Sequence, residues 1–242
     1  MINPNILVPI AQAVAKTTVK ILVYGFAGAG KTTLLGSLPG KGLILSAEAG
    51  LLSLRRLASV FHEGTRVITV PAGAAGAELL AEVLAHLKAN PTEFAWVALD
   101  SLSEIAEVVL SSEKSKTKDP RQAYGALQDT MGKLLRDYRD LADIDVYFSA
   151  KCERVKDDST GKVSLQVSMP GAKLGQALPY VFDEVLFLKK LDDGTRVLQT
   201  DGDAQVIAKD RSGALNQLEQ VDAVEEGRTW GLGRIIEKIK AS

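Results

Sequence analysis

Residues 25–32 read Gly-Phe-Ala-Gly-Ala-Gly-Lys-Thr, and they match the pattern G-x-x-x-x-G-K-[ST] at every specified position. In this pattern the glycines let the backbone curl, so that its N–H groups form a nest for phosphate oxygens. Lys31 supplies a positive charge for the β- and γ-phosphates, and the Thr32 hydroxyl is suited to hold Mg²⁺. We therefore predict a site for ATP and Mg²⁺ formed by Gly25, Phe26, Ala27, Gly28, Ala29, Gly30, Lys31, Thr32 and Thr33.

The segments on both sides of this P-loop (residues 25–32) predict the structural context that a phosphate site needs. Residues 19–24 are apolar and rich in β-branched side chains, which indicates a buried strand, and residues 32–38 favour a helix. A helix that begins near Lys31 turns the positive end of its dipole toward the same phosphates. The alternative, a glycine-rich turn that binds nothing, does not account for a strand and a helix in this order.

Two acidic residues follow apolar runs that are typical of buried parallel strands. Glu48 follows the run 42–46, and Asp100 directly follows the run 94–99. Because α/β sheets bind ligands at the carboxyl ends of their strands, we expect both carboxylates near the P-loop. Asp100 fits the Walker B position, which holds Mg²⁺ through its water shell. Glu48 is suited to orient the water that attacks the γ-phosphate, and the alternative is a surface glutamate that caps the next helix.

Composition limits the classes of protein to which the chain can belong. Its 242 residues suit one large α/β domain or two small ones, and 46% hydrophobic residues is ordinary for a soluble protein. The net charge of −1 excludes a global cationic field, so any nucleic-acid surface must be a local patch. The single cysteine excludes an internal disulfide and fits a reducing compartment. With no bilayer-spanning apolar run and no basic signal-peptide start, we expect a cytoplasmic protein without membrane contact.

The remaining patterns predict an α/β fold with a mostly parallel central sheet, flanking helices and an antiparallel C-terminal extension. Strand patterns cover 67–70, 144–149, 162–168, 184–191, 196–200 and 205–209, and helical patterns cover 74–88, 101–112, 122–142 and 232–240. Polar or glycine-containing loops are predicted at 113–121 and 169–175. Residues 6–10 are apolar and interrupted by proline, so they form either an edge strand of this domain or a strand added to a neighbouring subunit.

Basic side chains concentrate in two segments that follow the predicted strands 94–99 and 144–149. A single-strand nucleic-acid site needs a basic groove and stacking aromatics, and here the only nearby aromatic is Tyr124. We therefore expect weak, salt-dependent binding. The alternative is an ordinary solvated charged surface. The candidate DNA-binding residues are Lys114, Lys116, Lys118, Arg121, Tyr124, Lys151, Arg154, Lys156, Lys162 and Lys173.

The order of these motifs resembles the RecA/RadA core ATPases, and most closely the fourth, RecA-core group of the phage-encoded Sak single-strand annealing proteins. The resemblance covers residues 19–211, which leaves an N-terminal arm (1–18) and a C-terminal tail (212–242). It implies that Glu48 activates water and that segments 113–123 and 151–176 bind single-stranded DNA. It also implies that Lys151 occupies the γ-phosphate sensor position, where these proteins usually carry glutamine.

The resemblance also implies an assembly. Lys209 and Arg211 match a Lys-x-Arg pair that reaches the nucleotide of a neighbouring subunit, so ATP would lie at interfaces of a ring or filament. The alternative for this pair is an exposed hairpin end. Implied partners are single-stranded DNA, further copies of the chain and a single-strand-binding protein, in a bacterial host cytoplasm if the protein is phage-encoded.

Two function classes follow from the sequence. The first is an ATP-dependent single-stranded DNA-binding protein that promotes annealing or recombination, with hydrolysis stimulated by DNA. The second is a P-loop ATPase that acts on a protein partner, of the accessory, partition or packaging type, without direct DNA contact. A small-molecule kinase ranks last, since no acceptor-binding aspartate or lid arginine cluster stands out in the sequence.

Overall fold

The computed structural model describes residues 18–48, 51–221, 224–225, 228–229 and 231–242, together with positions 7 and 9. The described strands are β1 (Lys20–Gly25), β2 (Gly42–Ser46), β3 (Arg66–Thr69), β4 (Trp96–Asp100), β5 (Asp145–Lys156), β6 (Val163–Val167), β7 (Glu184–Lys190), β8 (Arg196–Gln199), β9 (Lys209–Asp210), β10 (Leu218–Gln220), β11 (Val224–Glu225) and β12 (Arg228–Thr229). The helices are α1 (Ala74–Ala89), α2 (Leu102–Lys116), α3 (Pro120–Arg139), α4 (Ala172–Val181) and α5 (Leu232–Ala241), with 3-10 helices at Thr32–Ser37 and Leu51–Leu57.

One ten-stranded sheet organises the chain. Its order is β10-β8-β7-β1-β5-β4-β2-β3, with β6 added to β5 and β9 added to β7. The six strands from β7 to β3 are parallel, whereas β6, β8, β9 and β10 pair antiparallel. The predicted fold class is therefore confirmed: an α/β P-loop NTPase fold with a mostly parallel sheet and an antiparallel C-terminal extension.

The two faces of the sheet bury separate cores, as the side-chain alternation of a strand requires. In β1, Leu22 and Tyr24 join the core beneath α1, α2, α3 and α4, whereas Ile21 and Val23 join the core on the opposite face. That second face is covered by the two 3-10 helices and by α5. Both cores meet at β1, so the P-loop that follows it starts from a fully buried strand.

The C-terminal helix supports the segment that follows the P-loop. Gly233 N donates to Ser37 Oγ at 3.3 Å. A Cβ on Gly233 would lie 2.3 Å from Ser37 O, so only glycine allows this approach. Residues 232–241 are thereby held against the 3-10 helix Thr32–Ser37, which carries the predicted phosphate-site residue Thr32.

Two predictions about helices near the site are wrong in detail. The helix predicted at 32–38 is a 3-10 helix of six residues, and Gly36 and Pro39 limit it to about two turns. The loop predicted at 113–121 is mostly helical, because α2 continues to Lys116 and α3 begins at Pro120. Asp119 accepts a hydrogen bond from Arg121 N and caps α3, so only residues 117–119 connect the helices.

Two predictions in the C-terminal half are also wrong. The loop predicted at 169–175 contains the start of α4, because Leu174 and Leu178 are buried in the core and stabilise a helix despite its glycine. The strand predicted at 205–209 is reduced to β9 and an isolated bridge between Leu165 and Val206. The predicted arm at 1–18, with its strand at 6–10, lies outside the described residues except at positions 7, 9 and 18.

No helix among the residues that the structure describes is both long and apolar enough to span a bilayer.

A buried carboxyl group at the β7–β9 pair predicts a pH-dependent stability. Burial, followed by the nearby charge of Asp210, raises the pKa of Glu184 from 4.5 to about 8. The folded protein therefore binds an extra proton between about pH 4.5 and 8, and its stability falls as pH rises through this interval. We expect the Tm to decrease by several degrees from pH 5 to pH 8.5, and Glu184→Gln to remove most of this decrease.

The control for this measurement is Glu63→Gln, since Glu63 is exposed. It should follow the wild-type Tm at every pH. A wild-type Tm that is flat or rises across the same interval would contradict the assignment of a protonated Glu184.

Candidate nucleotide-binding site

The P-loop leaves the carboxyl end of β1 as a tight curl. Gly28 and Gly30 have φ of 75° and 108°, a region that favours glycine. Ala29 N donates to Phe26 O at 3.2 Å and closes the turn. The Lys31 ammonium folds back onto this curl, where it donates to Gly25 O at 3.0 Å and to Phe26 O at 3.2 Å. The loop therefore has the concave backbone shape that cradles phosphate oxygens.

Burial and two nearby carboxylates have opposite effects on the pKa of Lys31. Burial lowers the pKa of its ammonium, and the nearby charges of Glu48 and Asp100 act in the opposite direction. Triphosphate oxygens at the nest would add favourable partners for this ammonium.

Thr32 and Asp100 bring two oxygen ligands to one point. Thr32 Oγ1 donates to Asp100 Oδ2 at 2.7 Å, and Ser149 Oγ donates to the other carboxylate oxygen, Oδ1. Asp100 is only 4% exposed, and burial raises its pKa, although these two hydrogen bonds lower it in part. A buried carboxylate beside a hydroxyl is a donor set that Mg²⁺ prefers, so these residues fit the metal that the sequence predicts.

The described residues contain no cluster of three or more His, Cys, Asp or Glu side chains suited to a metal ion. Thr32, Asp100 and the phosphate oxygens would therefore have to share the coordination with water, which is usual for Mg²⁺ at nucleotide sites.

Glu48 lies next to Asp100 because β2 and β4 are neighbours in the sheet. Ser46 is in register with Asp100, and Ala47 N donates to Asp100 O at 2.9 Å. Ser101 Oγ donates to Glu48 Oε1 at 2.5 Å, which fixes the direction of an otherwise exposed carboxylate. The structure thus brings Glu48 and Asp100 together with Lys31 at one edge of the sheet, as the strand order requires.

This arrangement separates three tasks among the chain's own groups. The P-loop backbone and Lys31 can bind and orient the phosphates, and Thr32 with Asp100 can hold a metal ion. Glu48, whose Oε1 accepts a hydrogen bond from Ser101, can orient a water and accept its proton. When bound, Mg²⁺ neutralises phosphate charge during phosphoryl transfer. The roles of these residues remain predictions, and the geometry is compatible with each of them.

Lys151 lies in β5, the strand next to β1, but its side chain contacts Glu104. Its backbone is in register with Gly25, and its ammonium forms an ion pair with Glu104 in the first turn of α2. That hydrogen bond raises the pKa of Lys151, with a smaller contribution from Glu48. A contact with the γ-phosphate would require the pair with Glu104 to open, so the sensor role stays a prediction.

Lys209 and Arg211 lie at the opposite end of the sheet from the P-loop of their own chain. Lys209 pairs with Val185 near the start of β7, and its ammonium donates to Pro179 O and Phe182 O, both at 2.6 Å. Arg211 donates to Asp183 Oδ1 at 2.7 Å. Within one chain, Lys209 therefore ties the end of α4 to the sheet. A role at a neighbouring subunit's nucleotide stays a prediction.

The predicted DNA-binding cations are all exposed, and two of their segments meet. Lys114 lies over the ring of Tyr124 at 5.6 Å, and Tyr124 lies against Gly171 in the segment before α4. Ser103 Oγ also donates to Ser168 O at 2.7 Å, which ties α2 to the end of β6. The exposed cations are Lys114, Lys116, Lys118, Arg121, Lys151, Arg154, Lys156, Lys162 and Lys173.

The β5–β6 hairpin touches the P-loop directly. Arg154 in β5 places its guanidinium 4.9 Å from the ring centroid of Phe26, a P-loop residue that is 36% exposed. The same ring packs edge-on against Phe187 in β7 at 6.4 Å. A residue predicted to bind DNA and a residue of the predicted phosphate site are therefore in contact.

Several residues that contact this site are not among those predicted from the sequence. Ser101 and Ser149 donate hydrogen bonds to the carboxylates of Glu48 and Asp100. A signal for them exists in the sequence, since Ser101 comes one residue after the apolar strand pattern 94–99 and Ser149 ends the pattern 144–149. Tyr147 OH donates to Lys31 O at 3.0 Å from within β5. Arg196 Nε donates to Ala29 O at 3.0 Å from β8, 167 residues away in sequence, and no local pattern predicts that contact.

A comparison with known protein families shows the family to which the chain belongs. The sequence pattern of a family described as AAA domain matches residues 17–212, which include the P-loop, Glu48 and Asp100. No curated protein matches the chain.

Proposed function

This chain belongs to the AAA domain family, and we propose that it is an ATPase that binds single-stranded DNA and uses ATP to promote strand annealing or recombination. In this proposal the protein assembles with further copies of itself into a ring or filament, and it binds ATP together with Mg²⁺. DNA bound to the β5–β6 hairpin and to the α2–α3 segment (residues 113–121) stimulates hydrolysis at the P-loop.

The observation that carries the proposal is the contact between Arg154 and Phe26. It joins the basic C-terminal half of β5 (residues 151–156), which is largely exposed, to the P-loop. When phosphate enters the nest, the Lys31 ammonium must leave the Phe26 carbonyl that it now contacts at 3.2 Å. A movement of the Phe26 backbone moves the ring that Arg154 contacts. DNA that attracts Arg154 changes the same contact from the other side. Such a shared element couples two sites reciprocally.

The second support is the concentration of cations on a chain with net charge −1. Segments 113–121 and 151–173 hold nine exposed cations against five acidic residues, so their net charge is positive although that of the chain is −1. Two of these cations, Lys116 and Lys151, form ion pairs with Glu113 and Glu104. Tyr124 offers an exposed aromatic ring where two of these segments meet, which suits a stacked base. Contacts of this kind favour backbone charge over sequence, so binding should be non-specific and strongly dependent on salt.

The decisive experiment measures ATP hydrolysis with and without a single-stranded oligonucleotide, with double-stranded DNA as the control. The proposal expects stimulation of at least about fivefold by single strands and little by duplex. Unchanged hydrolysis together with no retention of labelled oligonucleotide at low salt would remove DNA from the proposal while leaving the ATPase intact.

Replacing Lys116, Lys118 and Arg121 together by alanine should weaken oligonucleotide binding by at least about tenfold at low salt. Three lost phosphate contacts should lower the slope of log Kd against log salt by about 2 for a single strand. The Kd for ATP should stay within about twofold, since all three residues lie outside the P-loop. Fluorescence anisotropy of a labelled oligonucleotide measures the first two quantities.

The matched control replaces three exposed cations elsewhere, Arg66, Lys88 and Lys133, and removes the same charge. It should bind DNA within about twofold of the wild type. Equal losses in both triple variants would show a general charge effect and remove the α2–α3 segment from the DNA surface.

One observation favours the alternative, an ATPase with a protein partner. An apolar groove of about 420 Å³ lies between α1 and α3. Leu80, Leu84 and Leu134 line it, together with the ion pair of Lys88 and Asp137. Concave apolar surfaces of this size suit a side chain of a partner helix. Hydrolysis that responds to a protein but not to single-stranded DNA would favour this alternative.

A further inference from the structure

We propose that Arg196 is a positioning residue of the nucleotide site, which fixes the Ala29–Gly30 peptide of the P-loop from outside the nest. This inference rests on the assignment of the P-loop as the nucleotide site. It adds a residue from the distant β7–β8 hairpin that neither the P-loop pattern nor the carboxylates at the sheet edge predict.

Arg196 is well placed for this task because its backbone is fixed on both sides. It is the first residue of β8 and is in register with Lys190 of β7. Its carbonyl accepts a hydrogen bond from Val221 N at 3.0 Å. Its side chain then reaches across to the P-loop, where Nε donates to Ala29 O at 3.0 Å.

The side chain also lies close along the loop. A Cβ on Gly30 would lie 3.2 Å from Arg196 Nε and 3.4 Å from Cδ, which is tighter than most such contacts. Gly30 is therefore favoured here twice, by its φ of 108° and by the guanidinium beside it. Ala29 is 9% exposed, so its carbonyl would lose much of its hydrogen bonding if the guanidinium were removed.

The consequence for phosphate binding follows from peptide geometry. In a trans peptide the C=O and the following N–H point to opposite sides of the chain. A guanidinium that holds Ala29 O on one side therefore holds Gly30 N–H toward the other. In a P-loop the backbone N–H groups are the phosphate donors, so Arg196 sets the direction of one of them before the nucleotide arrives.

The experiment compares Arg196→Gln and Arg196→Lys with Lys190→Gln, which removes the same charge at the paired position in β7. The Kd for a fluorescent, non-hydrolysable ATP analogue, KM, kcat and the nucleotide-free Tm are measured for each at low and at 0.5 M salt. We expect Arg196→Gln to raise Kd and KM at least about tenfold with kcat within about twofold, at both salt concentrations. Arg196→Lys should give an intermediate Kd, and Lys190→Gln should stay within about twofold.

Each other outcome overturns the inference in a recognisable way. Wild-type Kd in Arg196→Gln removes the positioning role directly. An equal rise in Lys190→Gln, or a rise that vanishes at 0.5 M salt, replaces positioning by general charge. If the nucleotide-free Tm of Arg196→Gln is lower than that of the wild type, Arg196→Lys is used for the test instead. An unchanged Kd in Arg196→Lys then overturns the inference. A wild-type protein that binds no analogue overturns the nucleotide site itself, which a loss confined to Arg196 variants does not.

Discussion

Replacement of Glu48 by glutamine is expected to lower kcat for ATP hydrolysis by at least about 100-fold, with the Kd for ATP within about threefold of the wild-type value. The amide keeps the size of the side chain and can still accept a hydrogen bond from Ser101. It cannot accept a proton from water as readily as a carboxylate, so the loss falls on the chemical step. Single-turnover hydrolysis and equilibrium binding of labelled ATP separate the two quantities.

The hydrogen bond from Ser101 to Glu48 predicts a second variant with a smaller loss of kcat. Ser101 Oγ donates to Glu48 Oε1 at 2.5 Å and fixes the carboxylate beside the phosphate nest. Ser101→Ala should therefore lower kcat by about five- to tenfold, because the base remains but its direction is less restricted. Glu63→Gln, at an exposed position, serves as the unaffected control. Hydrolysis at the parent rate in Glu48→Gln would show that another group activates the water.

The parts of the site that the sequence predicts are those encoded locally. The P-loop pattern places two glycines, Lys31 and Thr32 within eight residues, and the apolar run before Asp100 indicates a strand that ends in a carboxylate. Because both are properties of short segments, they do not depend on how the chain folds at a distance. The parallel sheet then brings Asp100 next to the P-loop through the order β1-β5-β4.

The parts that the sequence does not predict depend on pairing across the sheet. The contact of Arg196 with Ala29 requires the register of β7 with β8 and of β1 with β7, which no local pattern specifies. The contact of Arg154 with Phe26 requires β5 to continue past the sheet edge to Lys156, whereas the strand pattern stops at 149. Tertiary packing also decides α4, where the buried side chains of Leu174 and Leu178 outweigh Gly175 and Pro179.

Replacement of Lys31 by alanine is expected to raise the Kd for ATP at least about 100-fold. The reason is the position of its ammonium, which lies 3.0 Å from Gly25 O inside the curl where the phosphates are predicted to bind. Thermal denaturation with increasing ATP measures the loss. A ligand at about 100 times its Kd adds roughly 2.7 kcal/mol to the stability of the folded protein, so the wild-type Tm should rise by several degrees and that of the variant should not.

The nucleotide-free protein gives the internal control for this variant. Burial lowers the pKa of Lys31, which means that the folded state disfavours its charged form. Below that lowered pKa the ammonium opposes folding, and this opposition is relieved as pH rises toward the value in the unfolded chain. Removing the ammonium should therefore leave the nucleotide-free Tm at pH 7 unchanged or slightly higher, while Lys41→Ala keeps the response to ATP. A Lys31→Ala variant that is stabilised by ATP like the wild type would show that the phosphates bind away from this loop.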